Sequence, residues 1–150
     1  MLTVLLFVAC EEPAPPPAAP AEAPAPPAAP APPPPPAPFT CCADPALEAK
    51  LGTYLTAQEK LAKDDATAAA EIAQLDPALG VTADTPIADQ RKQLKAFSDT
   101  FVAQVRSSAG GATAVREVHC PMYPGSWLQK GETIANPYYG SQMLTCGSWK

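Results

Sequence analysis

The side chains with the most chemistry in this sequence gather near its carboxyl end. His119-Cys120-Pro121-Met122 is followed by Trp127-Leu128, then Asn136-Pro137-Tyr138-Tyr139-Gly140, then Met143-Leu144-Thr145-Cys146-Gly147. Two thiols, two thioethers and the single histidine of the chain share one short segment that holds almost no carboxylate. Soft sulfur donors without hard oxygen donors suit a soft ion, and Cu(I) fits first, ahead of Ag(I) or Zn. On this reading Cys120, Met122, Met143 and Cys146 supply sulfur ligands and His119 adds a nitrogen. The alternative is structural: a Cys120–Cys146 disulfide, worth roughly 3 kcal/mol for a loop of that length, with the methionines filling gaps in an apolar cluster.

Cys41-Cys42 forms a second thiol group, just before the first helical pattern. It reads either as another soft-metal or metal-delivering site or as disulfide partners. The four cysteines 41, 42, 120 and 146 allow three connectivities, among which sequence does not choose.

Other chemistry finds little support. A single histidine leaves no histidine-centred triad, and phosphate-cradling glycine loops and nucleotide fingerprints are missing. The expectation is therefore a protein that is not an enzyme. The net charge is −5, three of the negatives being Glu11, Glu12 and Glu22. No basic run exists to meet phosphate, which argues against nucleic acid as a partner.

Three regions follow from composition. Residues 1–10 form an apolar run that ends Val-Ala-Cys. The run resembles the lipobox of a bacterial lipoprotein, with Cys10 as the lipidated residue. It lacks the positive n-region of a standard signal peptide. Glu11 rather than Asp after that cysteine implies, by the same resemblance, the outer membrane, with the protein facing the periplasm. Residues 11–40 are a Pro/Ala-rich stalk: Glu11 to Pro38 holds 15 Pro, 10 Ala and 3 Glu and nothing else. Such a tract cannot build a core and is expected to stay extended. It is a spacer, or alternatively a ligand for a proline-reading module, since Pro32–Pro36 are consecutive. Residues 41–150 are the folding domain.

The elements that must position the sulfur-bearing segment are helical. Asp44-Pro45 is a helix start, a capping side chain followed by proline. Leu47, Leu51, Tyr54, Leu55 and Leu61 then recur on one face. Asp64-Asp65 ends this helix and caps an alanine-rich one over 66–75, which Asp76-Pro77 stops. Thr85-Pro86 is a start of the same kind, and Ile87, Leu94, Phe97, Phe101 and Val105 form the next stripe. Thr113–Cys120 alternates loosely and predicts a short extended segment. After it, Pro121, Pro124, Gly125 and Pro137 predict turns. The fold class expected is all-α: a small antiparallel helical bundle followed by an irregular Cys/Met/aromatic lobe with little strand.

The same residues carry a family resemblance. Cys120-Pro121-Met122, Trp127-Leu128, Ile134, Asn136–Gly140, Met143-Leu144 and Cys146-Gly147 resemble the C-terminal signature of a bacterial domain-of-unknown-function family. That domain is found fused to, or encoded beside, periplasmic adaptor subunits of copper/silver efflux pumps. Tyr54-Leu55, Gln90-Arg91-Lys92 and Phe97-Ser98 extend the similarity into the helices. The resemblance implies a helical bundle, a heavy-metal role and ligand status for Cys120, Met122, Met143 and Cys146. Taken together with the lipobox resemblance, it leads to the expectation of a lipid-anchored protein of the cell envelope that sequesters Cu(I) or passes it to an efflux adaptor. The rival expectation is a disulfide-stabilised interaction lipoprotein without metal.

Overall fold

The computed structural model describes residues 34–108 and 110–150. Cys10 and most of the stalk lie outside the described residues.

Asp44 and Pro45 open helix α1 (Pro45–Ala62), with the Asp44 carboxylate accepting from the Ala46 amide at 3.0 Å. Leu47, Leu51, Tyr54, Leu55 and Leu61 are all buried along it, as the helical spacing requires. Asp64, at φ +58°, takes the left-handed conformation that ends a helix. Asp65 then caps a single 3-10 turn, accepting from the Thr67 amide at 2.9 Å, and α2 (Ala69–Leu75) follows. Ala68 and Ala69 are buried where this short helix meets the first one.

Helix α3 (Ile87–Ser107) begins one residue later than the Thr85-Pro86 signal suggested. Pro86 occupies the cap position, and the Thr85 hydroxyl instead accepts from the Thr82 amide at 2.9 Å, tightening the preceding turn. Leu94, Phe101 and Val105 are buried. Phe101 stacks at 5.1 Å from the Tyr54 ring and 4.8 Å from that of Phe97, which joins the first and third helices through an aromatic cluster.

The all-α expectation is overturned by a four-stranded antiparallel sheet. Strand β2 (Thr113–Cys120) is its centre. β3 (Gly125–Gln129) pairs along one edge, from Arg116 opposite Gln129 to Cys120 opposite Gly125. β1 (Phe39–Cys41) and the two-residue β4 (Ser148–Trp149) pair with β2 at Thr113–Val115 and at Val118–His119. The physical reason lies in Trp127 and Leu128. Both are fully buried, so the backbone polar groups around them lose water and must find partners. Pairing with the extended segment that ends at Cys120 supplies them. The Pro121–Pro124 stretch that reads as irregular is the connection of a hairpin. The domain also takes in Phe39 and Thr40, residues that composition assigns to the stalk, because β1 completes the sheet.

The pleat divides β2 into two faces. Glu117 and His119 line a cavity together with Ser98, Asp99, Val102 and Arg106 of the third helix. Arg106 pairs with the Glu117 carboxylate across it, and its guanidinium lies 5.6 Å from the Phe39 ring. Val118 and Cys120 project from the opposite face, and Trp127, the strand partner of Val118, meets Tyr138 edge-on at 5.5 Å. The residues from 136 to 147 close over this second face. Gly147 makes this closure feasible, since a Cβ there would lie 2.8 Å from Val118 Cγ1.

Candidate metal centre

Cys120 is the last residue of β2 and is fully buried. Cys146 reaches it from a turn in which its amide donates to the Met143 carbonyl at 3.0 Å. That turn is held by Asn136. Its side-chain amide donates to the Cys146 carbonyl at 2.7 Å, its backbone amide donates to Leu144 at 2.7 Å, and its Oδ1 accepts from the Tyr138 amide at 2.8 Å. Asn136 is itself fully buried, with both ends of its side chain satisfied. In the sequence Asn136 stands inside a motif without an evident task. Its signal was a polar residue before proline in an aromatic run, which is also how an ordinary turn reads.

The two sulfurs lie 3.7 Å apart. Two thiolates bound at ~2.3 Å to one tetrahedral ion stand ~3.8 Å from each other, so the spacing matches a chelating pair. It also leaves only a short approach to a covalent bond of about 2.05 Å. Both cysteines are free thiols here. The Cys146 thiol is pushed above the ordinary cysteine range, first by desolvation and then by the hydrogen bond it shares with the Cys120 sulfur.

The other expected ligands fall into two groups. Met122 is 63% exposed and Met143 36% exposed, so neither fills a gap in the core. Both are surface thioethers, one just after Cys120 in the chain and the other in the same turn as Cys146. His119 does not share the Cys120 face. Successive residues of a strand point to opposite sides, and His119 lines the helix-facing cavity with its Nδ1 3.5 Å from the Ser126 hydroxyl. Among the described residues, no group of three or more His, Cys, Asp or Glu side chains is placed to hold a metal. Of the expected ligands, the fold brings the two thiols into contact.

Cys41 and Cys42 are disulfide-bonded to each other and buried. This bridge removes both residues as thiol ligands in this state, while Cys120 and Cys146 stay unbridged. The backbone of Gly111 lies directly against theirs, with no room for a Cβ.

Among the described residues, no helix is long and apolar enough to cross a membrane. Comparison with protein-family models, with curated proteins and with solved structures returned no match.

Proposed function

We propose that this protein binds a soft monovalent ion, Cu(I) and by the same chemistry Ag(I), at the Cys120–Cys146 pair. The reading rests on one observation: a sulfur–sulfur distance of 3.7 Å between residues from separate segments of the chain. Cys120 and Cys146 are the anchoring thiolates, and Met122 and Met143 are the thioethers that complete the shell. Zinc fits less well, because structural zinc takes four thiolate, imidazole or carboxylate ligands and thioether favours Cu(I). His119 is left out of the shell by its place on the other face of β2. In the fuller reading, lipid on Cys10 holds the protein at the cell envelope, facing the periplasm. The stalk sets the domain away from the membrane, and the bound ion is stored or handed to an efflux adaptor.

Titration with Cu(I) against a competing chelator tests this reading. The parent should withdraw one equivalent of the ion, and the Cys120→Ser/Cys146→Ser variant should withdraw little. Equal binding by the two proteins ends the proposal.

The same short distance favours a second reading, in which the pair closes to a disulfide and the protein is an interaction lipoprotein. Counting thiols in protein purified without reductant separates the two. Two oxidised cysteines at 120 and 146, indifferent to added Cu(I), support the second.

A further inference from the structure

The tyrosines of the C-terminal segment form a groove that the metal reading does not use. Tyr123, Tyr138 and Tyr139 line a depression of about 330 Å³ together with Arg91, Lys92 and Gln142. The Tyr123 ring stands 5.7 Å from that of Tyr138 and 6.1 Å from that of Tyr139, the latter nearly edge-on. Tyr138 is fixed by donating its hydroxyl to the Ser126 carbonyl at 2.6 Å, while Tyr123 and Tyr139 remain half-buried. Ridged aromatic surfaces of this kind accept polyproline II segments, whose prolines seat between rings and whose carbonyls are free to accept hydrogen bonds. The exposed Gln142 amide is a donor at the groove.

The chain carries the matching ligand. Glu11 to Pro33 is built of Pro, Ala and Glu alone. At ~3.1 Å per residue, its 23 residues would span roughly 70 Å in polyproline II. A folded domain of about 117 residues has a radius of gyration near 13 Å. A span of that length is several times the radius of the domain, so in polyproline II the tract would be long enough to reach a neighbouring copy. Charge agrees with the pairing. Lys92 is paired with Asp89 and Arg91 with Asp64, so the groove offers little net charge to a tract that is itself almost neutral past Glu12.

We propose that the Tyr123–Tyr138–Tyr139 groove binds the Pro/Ala tract of a second copy of this chain, linking copies tail to groove.

The test uses the full chain with Cys10→Ser, so that no thiol at the tract can cross-link copies. Sedimentation equilibrium should show the mean mass rising with concentration above the 15.5 kDa monomer. A synthetic peptide of residues 11–33 should reverse that rise, and the same peptide with every proline replaced by alanine should not. Tyr139→Ala should weaken association about tenfold. Ala88→Glu, at an exposed position that lines the groove, should do the same with the parent's circular dichroism retained. The association should change little with added salt. A monomer at all concentrations overturns the proposal, as does association that survives Ala88→Glu or responds equally to the alanine peptide.

Discussion

The Cys120 and Cys146 sulfurs stand 3.7 Å apart although 26 positions separate them in the chain. One sits at the fully buried end of a central strand and the other in a half-buried turn clamped by Asn136. Their environments differ, so their replacements should differ. Cys120→Ser puts a hydroxyl into a closed apolar position and should cost about 1–3 kcal/mol. Cys146→Ser keeps access to water and should cost less than about 1 kcal/mol. Urea midpoints of the two variants check the order. Equal costs would mean that Cys120 is not enclosed as described.

Gly111 is placed for contact rather than for backbone freedom. A Cβ there would collide with the backbone of Cys41 and Cys42, and backbone cannot step aside as a side-chain tip can. Gly111→Ala should therefore destabilise by roughly 2–4 kcal/mol, through overpacking against a covalently closed pair. Thermal unfolding with and without reductant is the measurement. A variant as stable as the parent would show that this contact is loose.

Asp64 ties three parts of the domain together. Its carboxylate accepts from the Ser141 amide at 3.1 Å and pairs with Arg91, which also donates to the Pro137 carbonyl at 3.1 Å. The Ser141 hydrogen bond, and next the Arg91 contact, hold the Asp64 carboxyl below its ordinary value of 3.8. A lowered folded-state value means that this stabilisation is present above the unfolded value and is lost as pH falls through the folded one. Denaturant midpoints should therefore drop below about pH 4, and Asp64→Asn should flatten that part of the profile. An unchanged acid limb in the variant would exclude Asp64 as its source.

The buried phenols make the opposite prediction at high pH. Tyr54 shares its hydroxyl with Ser98 at 2.8 Å and receives the Leu128 amide at 3.4 Å. Burial drives the ionisation of Tyr54 and Tyr138 far above the ordinary range of tyrosine. The unfolded chain ionises them near pH 10, so this stabilisation is complete below that pH and lost as pH rises past it. Phenolate absorbance from these two residues should emerge only as the fold is lost. Full ionisation of all four tyrosines with the circular dichroism intact would contradict the burial. Tyr54→Phe should cost about 1–2 kcal/mol, since Ser98 and the Leu128 amide lose a partner inside the core.

Much of the helical half was legible in the residues themselves. Asp44-Pro45, Asp65 and Asp76-Pro77 act locally, through side chains that reach amides two residues on, so a short window of sequence contains the whole interaction. The Leu47–Leu61 stripe is legible for the same reason, because helical periodicity is a local property. Strand β2 also appears at Thr113–Cys120, where the alternation placed an extended segment. Its partners were not legible. β1 has three residues and β4 two, too few for a period, and each becomes a strand only because β2 offers it hydrogen bonds from a distant part of the chain.

The sulfur-bearing segment divides in the same way. Residue types alone mark Cys120 and Cys146 as soft donors, because the softness of a donor belongs to the atom wherever it lies. Whether those donors meet depends on chain path. His119 adjoins Cys120 in sequence, yet the pleat of β2 sends the two to opposite faces, while Cys146 is carried to Cys120 by a turn that Asn136 holds shut. Cys41 and Cys42 likewise left three pairings open until the fold joined them to each other. Donor types, helix ends and apolar stripes can be read along the chain, since each depends on atoms within one turn of it. The sheet, the approach of the two thiols and the turning of the histidine to the other face arise only on folding, because backbone pairing and strand faces are set by contacts between segments far apart in sequence.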